Sequence, residues 1–239
     1  MIAEANDPTR SGPPLPATPL ENIGLSRNEV ETLCAKAARG AGMSWGHAEE
    51  AGFATGWLSA RGLDGPEALL THIEKTHGKA WGDVCPVIEK GRWRPSAADP
   101  LCPIALGATL NDFCGLDDGR LEDGALTVGP ISHPLLVLPF LSHVAARLKR
   151  SIAVGWQGGS LRMDGEGAMT GDLTGFAALQ EATLDLSTTA ESVRPRPQKA
   201  MRTCKRETFL RLNDFAMKTT VPPSDKSRTD AGSGTSDND

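Results

Sequence analysis

The stretch that decides the fold is residues 44–58, which read Ser44-Trp45-Gly46-His47-Ala48-Glu49-Glu50-Ala51-Gly52-Phe53-Ala54-Thr55-Gly56-Trp57-Leu58. Ser44 can accept from the free N–H groups of a first helical turn. Gly62 supplies the left-handed position that often follows a helix. The sequence therefore predicts one helix over residues 45–61.

Two faces of this helix differ in size and charge. One face carries, at spacings of three or four, the polar or aromatic side chains of His47, Glu50, Trp57 and Arg61 together with Ala54. The other face carries the small side chains of Ala48, Ala51, Gly52 and Thr55. Small side chains let a neighbouring backbone approach closely, so we expect a helix to pack there.

The flanking sequence predicts two more helices. Ser26 and Glu29 have the spacing of a capping box, which starts a helix over 27–39 that Gly40 closes. Pro66 stands at a first-turn position that needs no N–H, and the helix that it opens runs to about His77. Residues 26–78 are therefore predicted to form a three-helix unit.

The middle of the chain has a different pattern. Residues 79–102 are broken by prolines and are predicted to be an ordered loop, because their two Trp are poorly suited to water. Short apolar runs between turn signals then predict strands over 104–190. The predicted strands are Ile104–Leu110, Ala125–Val128, Leu135–Leu138, Ile152–Trp156, Leu161–Met163 and Thr183–Ser187. Helices are predicted over Phe140–Arg150 and over 205–217.

This order of elements predicts an α+β fold with a mostly antiparallel sheet in the middle and a final helix. The Pro-rich residues 1–22 are predicted to be a disordered leader, and 23–220 a single globular domain. Residues 221–239 have almost no apolar side chain. Their composition predicts a disordered polar tail.

Composition limits the function. The net charge is −5 with interspersed basic and acidic residues, which argues against a nucleic-acid partner. No apolar run reaches the roughly 18 residues of a membrane span. Five widely spaced cysteines without a C-x-x-C pair suit reduced thiols in the cytoplasm. There is no Tyr, so any acid or base must be another residue type. Composition does not identify a cofactor.

His47 and Glu50 are the candidate catalytic residues. A carboxylate one helical turn away would raise the pKa of the imidazole and hold its tautomer, which suits proton transfer. The alternative is an ordinary contact on a partly exposed helix face. Trp45 and Trp57 are candidate ligand-binding residues, although Trp is more often part of the core.

Other polar groups give weaker signals. His133 and His143 flank an apolar run, and a metal would need a third ligand such as Asp112, Asp117 or Asp118, but the spacing matches no metal motif. No metal site is predicted. Asn111–Gly115 is typical of a turn. Residues 155–160 lack the spaced glycines of a phosphate loop and favour a hairpin.

Two blocks carry a family resemblance. Lys36-Ala37-Ala38-Arg39-Gly40-Ala41-Gly42 with the Ser44–Gly52 stretch is one block, and residues 220–228 with 231–234 and 237–239 are the other. Both resemble the signature regions of a proteobacterial family of unknown function. The resemblance implies a shared, functional tail. Ser224, Ser227, Arg228 and Asp237 are therefore candidate ligand-binding residues of a lid over an anion, against the disorder that composition predicts.

A second resemblance covers residues 26–75. The order of helix, Gly-Ala-Gly turn, acidic helix and Arg61-Gly62-Leu63-Asp64-Gly65 is similar to the opening of the type-2 malate/lactate dehydrogenases, which use nicotinamide cofactors. Those enzymes carry a catalytic His in a Ser-His-Gly after the second helix. This chain has Leu63-Asp64-Gly65 there, so no catalytic role is transferred.

These observations lead to one primary hypothesis. The protein binds, and in one version turns over, a small anionic metabolite between the His47/Glu50 helix and the Arg228 tail. One alternative is a non-catalytic subunit or regulatory partner of a metabolic enzyme, which would display Trp45 or Trp57 on an exposed apolar patch. The other alternative is a nicotinamide-dependent oxidoreductase. Homo-oligomerisation is compatible with each.

Overall fold

The computed structural model describes residues 21–116, 121, 124–191, 193, 200 and 203–220. The predicted leader up to residue 20 and the predicted tail with Ser224, Ser227, Arg228 and Asp237 lie outside these residues, as do Asp117 and Asp118. Within the described part the fold is α+β, as predicted. No helix in these ranges is both long enough and apolar enough to cross a bilayer.

The helices have these bounds: α1 Arg27–Gly40, α2 Trp45–Ser59, α3 Gly65–Thr76, α4 Trp81–Val84, α5 Pro103–Phe113, α6 Leu138–Leu148, α7 Leu173–Ala177 and α8 Arg206–Met217. The strands are β1 Asn22–Gly24, β2 Pro86–Glu89, β3 Arg92–Pro95, β4 Leu126–Ser132, β5 Ser151–Trp156, β6 Gly159–Met163, β7 Met169–Gly171, β8 Glu181–Thr189 and β9 Thr203–Lys205. A 3-10 turn, Pro134–Val137, leads into α6.

The strands form a mixed sheet. In the described ranges its order is β2-β3-β4-β8-β5-β6-β7, and only β3 and β4 pair in parallel. A separate pair, β1 and β9, ties the segment before α1 to the segment before α8. The predicted hairpin is present at β5 and β6, where Gly158 has a φ of 101°.

The N-terminal helices begin for the predicted reasons. Both halves of the Ser26/Glu29 capping box are formed, and Ser44 accepts from the His47 N–H at 3.3 Å. Pro66 lies in the first turn of α3. The α2 helix ends at Ser59, two residues before the predicted end.

Close packing of α1 on α2 depends on the predicted small face. A Cβ atom at Gly52 would lie 2.6 Å from the Glu31 carbonyl oxygen and 3.0 Å from Ala35 Cβ. Beyond its first turns α2 is buried nearly all round, from Ala54 to Ser59. The helix is therefore a central element of the core, packed on α1, α3, α5 and α6.

Three sequence predictions are wrong. Ile104–Leu110 is helical, because Pro103 starts α5, and burial on most sides removes the helical period from its sequence. Leu135–Leu138 is not a strand, since Pro134 begins the 3-10 turn and Pro139 lies in the first turn of α6. Residues 79–102 are not merely a loop, because they contain α4 and the β2–β3 hairpin, in which Trp93 is fully buried.

Candidate functional site

The predicted catalytic pair on α2 does not have the expected electrostatics. His47 Nδ1 lies 2.8 Å from Ser44 Oγ, and burial lowers the pKa of His47, so the predicted rise is wrong. Burial raises the pKa of Glu50, and the charge that most favours its ionised form belongs to His143. Any catalytic role of His47 and Glu50 stays a prediction.

The two tryptophans of α2 have different environments. Trp57 is buried, with the Arg61 guanidinium 3.7 Å from its ring centre. Arg61 also donates to the carbonyl oxygens of Glu166 at 2.8 Å and Gly167 at 3.2 Å, so this group holds a turn of the sheet region against α2. Trp45 is 66% exposed, which contradicts its core interpretation, and the Arg39 guanidinium lies 5.1 Å from its ring centre.

A polar cluster of four buried side chains and the exposed Gln180 lies elsewhere, between α3, the start of α5, the end of β4 and the start of β8. His72 Nε2 is 3.3 Å from Cys102 Sγ, and His72 Nδ1 is 3.1 Å from Ser132 Oγ. The same hydroxyl is 2.8 Å from His133 Nδ1, and His133 Nε2 is 2.9 Å from Gln180 Oε1. These five side chains form one continuous hydrogen-bonded chain.

With Gln180 Oε1 facing His133 Nε2, one tautomer of each imidazole satisfies every hydrogen bond of the chain. The Oε1 atom of Gln180 can only accept, so the neutral His133 carries its proton on Nε2. Its Nδ1 then accepts from the Ser132 hydroxyl, which in turn accepts from His72 Nδ1. The unprotonated Nε2 of His72 is therefore left to accept from the Cys102 thiol.

Backbone hydrogen bonds bring these distant residues together. The Leu101 N–H donates to Pro130 O at 2.8 Å, and Ser132 N–H donates to Leu101 O at 3.1 Å. These two bonds fasten the residue before Cys102 to β4. His133 has a left-handed φ of 47°, and its N–H donates to Gln180 O at 2.9 Å.

Burial keeps the Cys102–His72 pair neutral. It raises the pKa of Cys102 to about 11 and lowers the pKa of His72 to about 3. The N–H groups of Ala105 and Ile104 oppose the shift at Cys102, because they favour a thiolate, but burial has the larger effect. Burial also lowers the pKa of His133.

The Cys102 end of the cluster lies on a cavity of about 300 Å³, which we call the α3 cavity. Its lining comes from the α1–α2 turn, from α3 and its C-terminal turn, and from Val84 and Cys102. His77 and Lys79 are exposed lining residues, whereas His72 and Cys102 are buried. The other end of the cluster, His133 and Gln180, lines a smaller cavity of about 180 Å³.

A larger depression of about 680 Å³ has no member of this cluster in its lining. Its lining includes Lys149, Arg150, Asp164, Glu166 and Glu191, so cations and carboxylates occur together there. We place the candidate site at the α3 cavity because a nucleophile and a base converge on it.

Sequence reasoning missed His72, Cys102, Ser132 and Gln180, and it considered His133 only as a metal ligand. Two signals were present: His72 shares the apolar face of α3 with Leu69 and Ile73, and Cys102 directly precedes the proline that opens α5. Among the described residues no group of three or more His, Cys, Asp or Glu side chains is placed to hold a metal ion.

Residues 25–100 match a family whose description is "Protein of unknown function (DUF3726)". The match contains α1 to α3 with the first signature block and His72, so the predicted resemblance to an uncharacterised family is confirmed over this stretch. Cys102, Ser132 and His133 follow the matched residues in the chain. Neither the curated proteins nor the solved structures gave a match.

Proposed function

We propose that the protein binds a small anionic molecule in the α3 cavity. The observation that carries this proposal is that the cavity has an imidazole and a thiol in its wall and the ammonium group of Lys79 at an exposed position. Its volume of about 300 Å³ is at the lower end of ligand pockets, which suits a metabolite of few atoms.

Charge favours an anion. Lys79 is the charged residue of the lining, which contains no carboxylate. The Lys79 ammonium forms an ion pair with Asp99, in which both side chains are about one-third exposed or more. Such exposed pairs contribute little stability, so an anion in the cavity can compete for the ammonium group.

The proposed ligand is a small anion, as the sequence analysis expects. The proposed site is the α3 cavity instead of the space between the His47/Glu50 helix and the Arg228 tail. The lining combines Gly40, Ala41 and Gly42, which belong to the first signature block, with residues of α3. A contribution of Arg228 and the tail to anion binding remains a prediction, because these residues lie outside the described part.

A thermal-shift series tests the proposal. We would measure the melting temperature with inorganic phosphate, acetate, pyruvate and malonate. A ligand at one hundred times its Kd stabilises the fold by about 2.7 kcal/mol. Lys79→Gln should weaken the shift, and Ala41→Phe should abolish it by filling the cavity. Lys90→Gln removes an exposed cation outside the lining and serves as the matched control.

The proposal would be contradicted if the Ala41→Phe variant showed the same ligand-induced rise in melting temperature as the wild type. A shift that Lys79→Gln and Lys90→Gln reduce equally would also contradict it, because the effect would then be one of net charge. Each variant must first show an ordinary melting transition without ligand.

A second candidate function is a subunit role, and the exposed Trp45 favours it. Trp45 borders a groove of about 520 Å³ whose lining includes Lys36, Arg39 and Thr220. If Trp45 contacts a second copy of this chain, light scattering after gel filtration should give the mass of a dimer, and Trp45→Ala should give a monomer. A wild-type monomer would remove this form of the hypothesis.

The oxidoreductase alternative stays a prediction. At the position of the catalytic His in the dehydrogenases stands Asp64, which caps α3 by accepting from the Glu67 N–H at 3.1 Å.

A further inference from the structure

Cys102 and His72 have the mutual geometry of a nucleophile and its base. Sγ and Nε2 are 3.3 Å apart, both residues line the α3 cavity, and the hydrogen-bonded chain leaves the Nε2 lone pair facing the thiol. We propose that Cys102 is a catalytic nucleophile with His72 as its general base, and that the substrate is a small anionic thioester or activated ester. This inference rests on the proposed binding function of the α3 cavity.

The surroundings supply the other parts that acyl transfer needs. Ser132, His133 and Gln180 orient the imidazole, as the third group of a catalytic triad does. Cys102 is the N-cap residue of α5, an 11-residue helix. The free N–H groups of its first turn favour negative charge, so they can stabilise both a developing thiolate and a carbonyl oxygen that becomes an oxyanion.

The reaction balances without an oxidant or a reductant. Cys102 Sγ bonds to the carbonyl carbon, the thiol proton moves to His72 Nε2, and the carbonyl π electrons move to oxygen. The intermediate collapses and expels the alcohol or thiol, which takes the proton from His72. Water, deprotonated by His72, then attacks the acyl thioester, releases the carboxylic acid and restores the thiol.

The neutral state of Cys102 and His72 determines how the thiol can react. Because burial favours the thiol over the thiolate, Cys102 should ionise only as the S–C bond forms. Access then runs through the α3 cavity rather than through bulk solvent. An acyl probe small enough to enter the cavity is therefore the appropriate reagent.

The experiment uses p-nitrophenyl acetate with the full-length chain. We expect a burst of nitrophenolate, and mass spectrometry of peptides should place one acetyl group on Cys102. Cys102→Ala should abolish the burst. His72→Gln should slow acylation about 100-fold, the lower range for general base catalysis. Cys85→Ala is the matched control, because Cys85 is a half-buried cysteine that follows the lining residue Val84 but is not itself part of the lining.

Three outcomes would overturn the inference. They are the lack of a burst in the wild type, acetylation of Cys85 in place of Cys102, and unchanged acylation in His72→Gln. Should Cys102→Ala fail to fold, the His72→Gln rate and the peptide mapping of the wild type still decide the question.

The two proposals fail separately. If phosphate or a carboxylate gives the Lys79-dependent thermal shift and no acylation occurs, the cavity binds an anion and the nucleophile assignment is wrong. If acylation of Cys102 occurs and no anion shifts the melting temperature, the assignment of the ligand charge is wrong. Ala41→Phe should block both signals.

Discussion

The α2 helix and the His72 cluster differ in how the chain brings their polar side chains together. On α2, His47, Glu50 and two tryptophans lie within thirteen residues from 45 to 57, and the sequence shows them together. In the cluster, a continuous series of hydrogen bonds joins Cys102 to Gln180, although four separate segments of chain supply the members. The polar residues of α2 are close together in the sequence, whereas those of the cluster are close together only in the folded structure.

The comparison shows that polar residues spaced closely in the sequence do not necessarily form a functional site. The polar face of α2 belongs to a helix that is enclosed by its neighbours, so Trp57 and Arg61 serve packing. Four of the five members of the cluster are buried, and the hydrogen bonds between them need the complete fold. A polar side chain that is buried without a hydrogen-bond partner lowers the stability of the fold. Because several buried polar side chains are nevertheless present in the cluster, it is the stronger candidate for a functional site.

The largest expected effect on stability comes from protonating His72. Its folded-state pKa of about 3 lies below the ordinary value of 6.5, so the unfolded chain takes up this proton first as the pH falls. The contribution is fully present above pH 6.5 and is lost toward pH 3. We expect a loss of roughly 3 kcal/mol by pH 4, measured by urea unfolding.

Variants of His72 and His47 compare the pH dependence of stability at the cluster with that at α2. His72→Gln should remove most of the loss between pH 6.5 and pH 4 that this site causes. His47→Gln should change the slope less, because His47 is only partly buried although burial lowers its pKa in the same direction. Equal pH slopes in both variants would show that the cluster is no more protected from solvent than α2.

The next largest effect concerns the packing of α2. Gly52→Leu should destabilise the protein by roughly 1–3 kcal/mol, since a Cβ atom already meets the Glu31 carbonyl oxygen. Gly46→Leu is the matched control on the same helix, because a Cβ atom there meets nothing within 4 Å. Urea or thermal melting should separate the two. Equal effects would mean that helix propensity, not close packing, governs this helix.

The sequence predicted the N-terminal helices because their signals are local. The capping box at Ser26, the cap at Ser44 and the proline of α3 act within one turn. The strands of the β5–β6 hairpin were predicted for the same reason. Helix α5 was not, since an apolar run that is buried on most sides has no period to distinguish helix from strand.

The candidate site could be predicted much less well. Cys102 lies near the end of β4 because Leu101 pairs with that strand. His72 contacts both Cys102 and Ser132 because α3 packs beside the 3-10 turn that follows β4. A histidine on the apolar face of a helix is usually a satisfied core residue. Nothing in the spacing of His72, Cys102 and Ser132 therefore distinguishes a site from a core.

The smallest expected effect is that of Glu50→Gln, which tests the α2 site directly. Burial disfavours the charged form of Glu50 and raises its pKa, so the folded protein carries a small cost wherever Glu50 is ionised. The amide removes that cost. Because Glu50 is partly exposed and solvent screens its charge, we expect a gain of less than about 0.5 kcal/mol at neutral pH.

The sign of this effect is opposite to that for a carboxylate whose pKa is lowered by a hydrogen-bonded or charged partner. The gain should be present at neutral pH and should vanish in acid, where Glu50 is protonated in both the folded and the unfolded chain. Glu50→Gln should also leave the anion-induced thermal shift and the acylation of Cys102 at wild-type values, because Glu50 does not line the α3 cavity. If Glu50→Gln abolishes the anion-induced shift while Lys79→Gln preserves it, the ligand binds at α2, and the site expected from the sequence replaces the one proposed here.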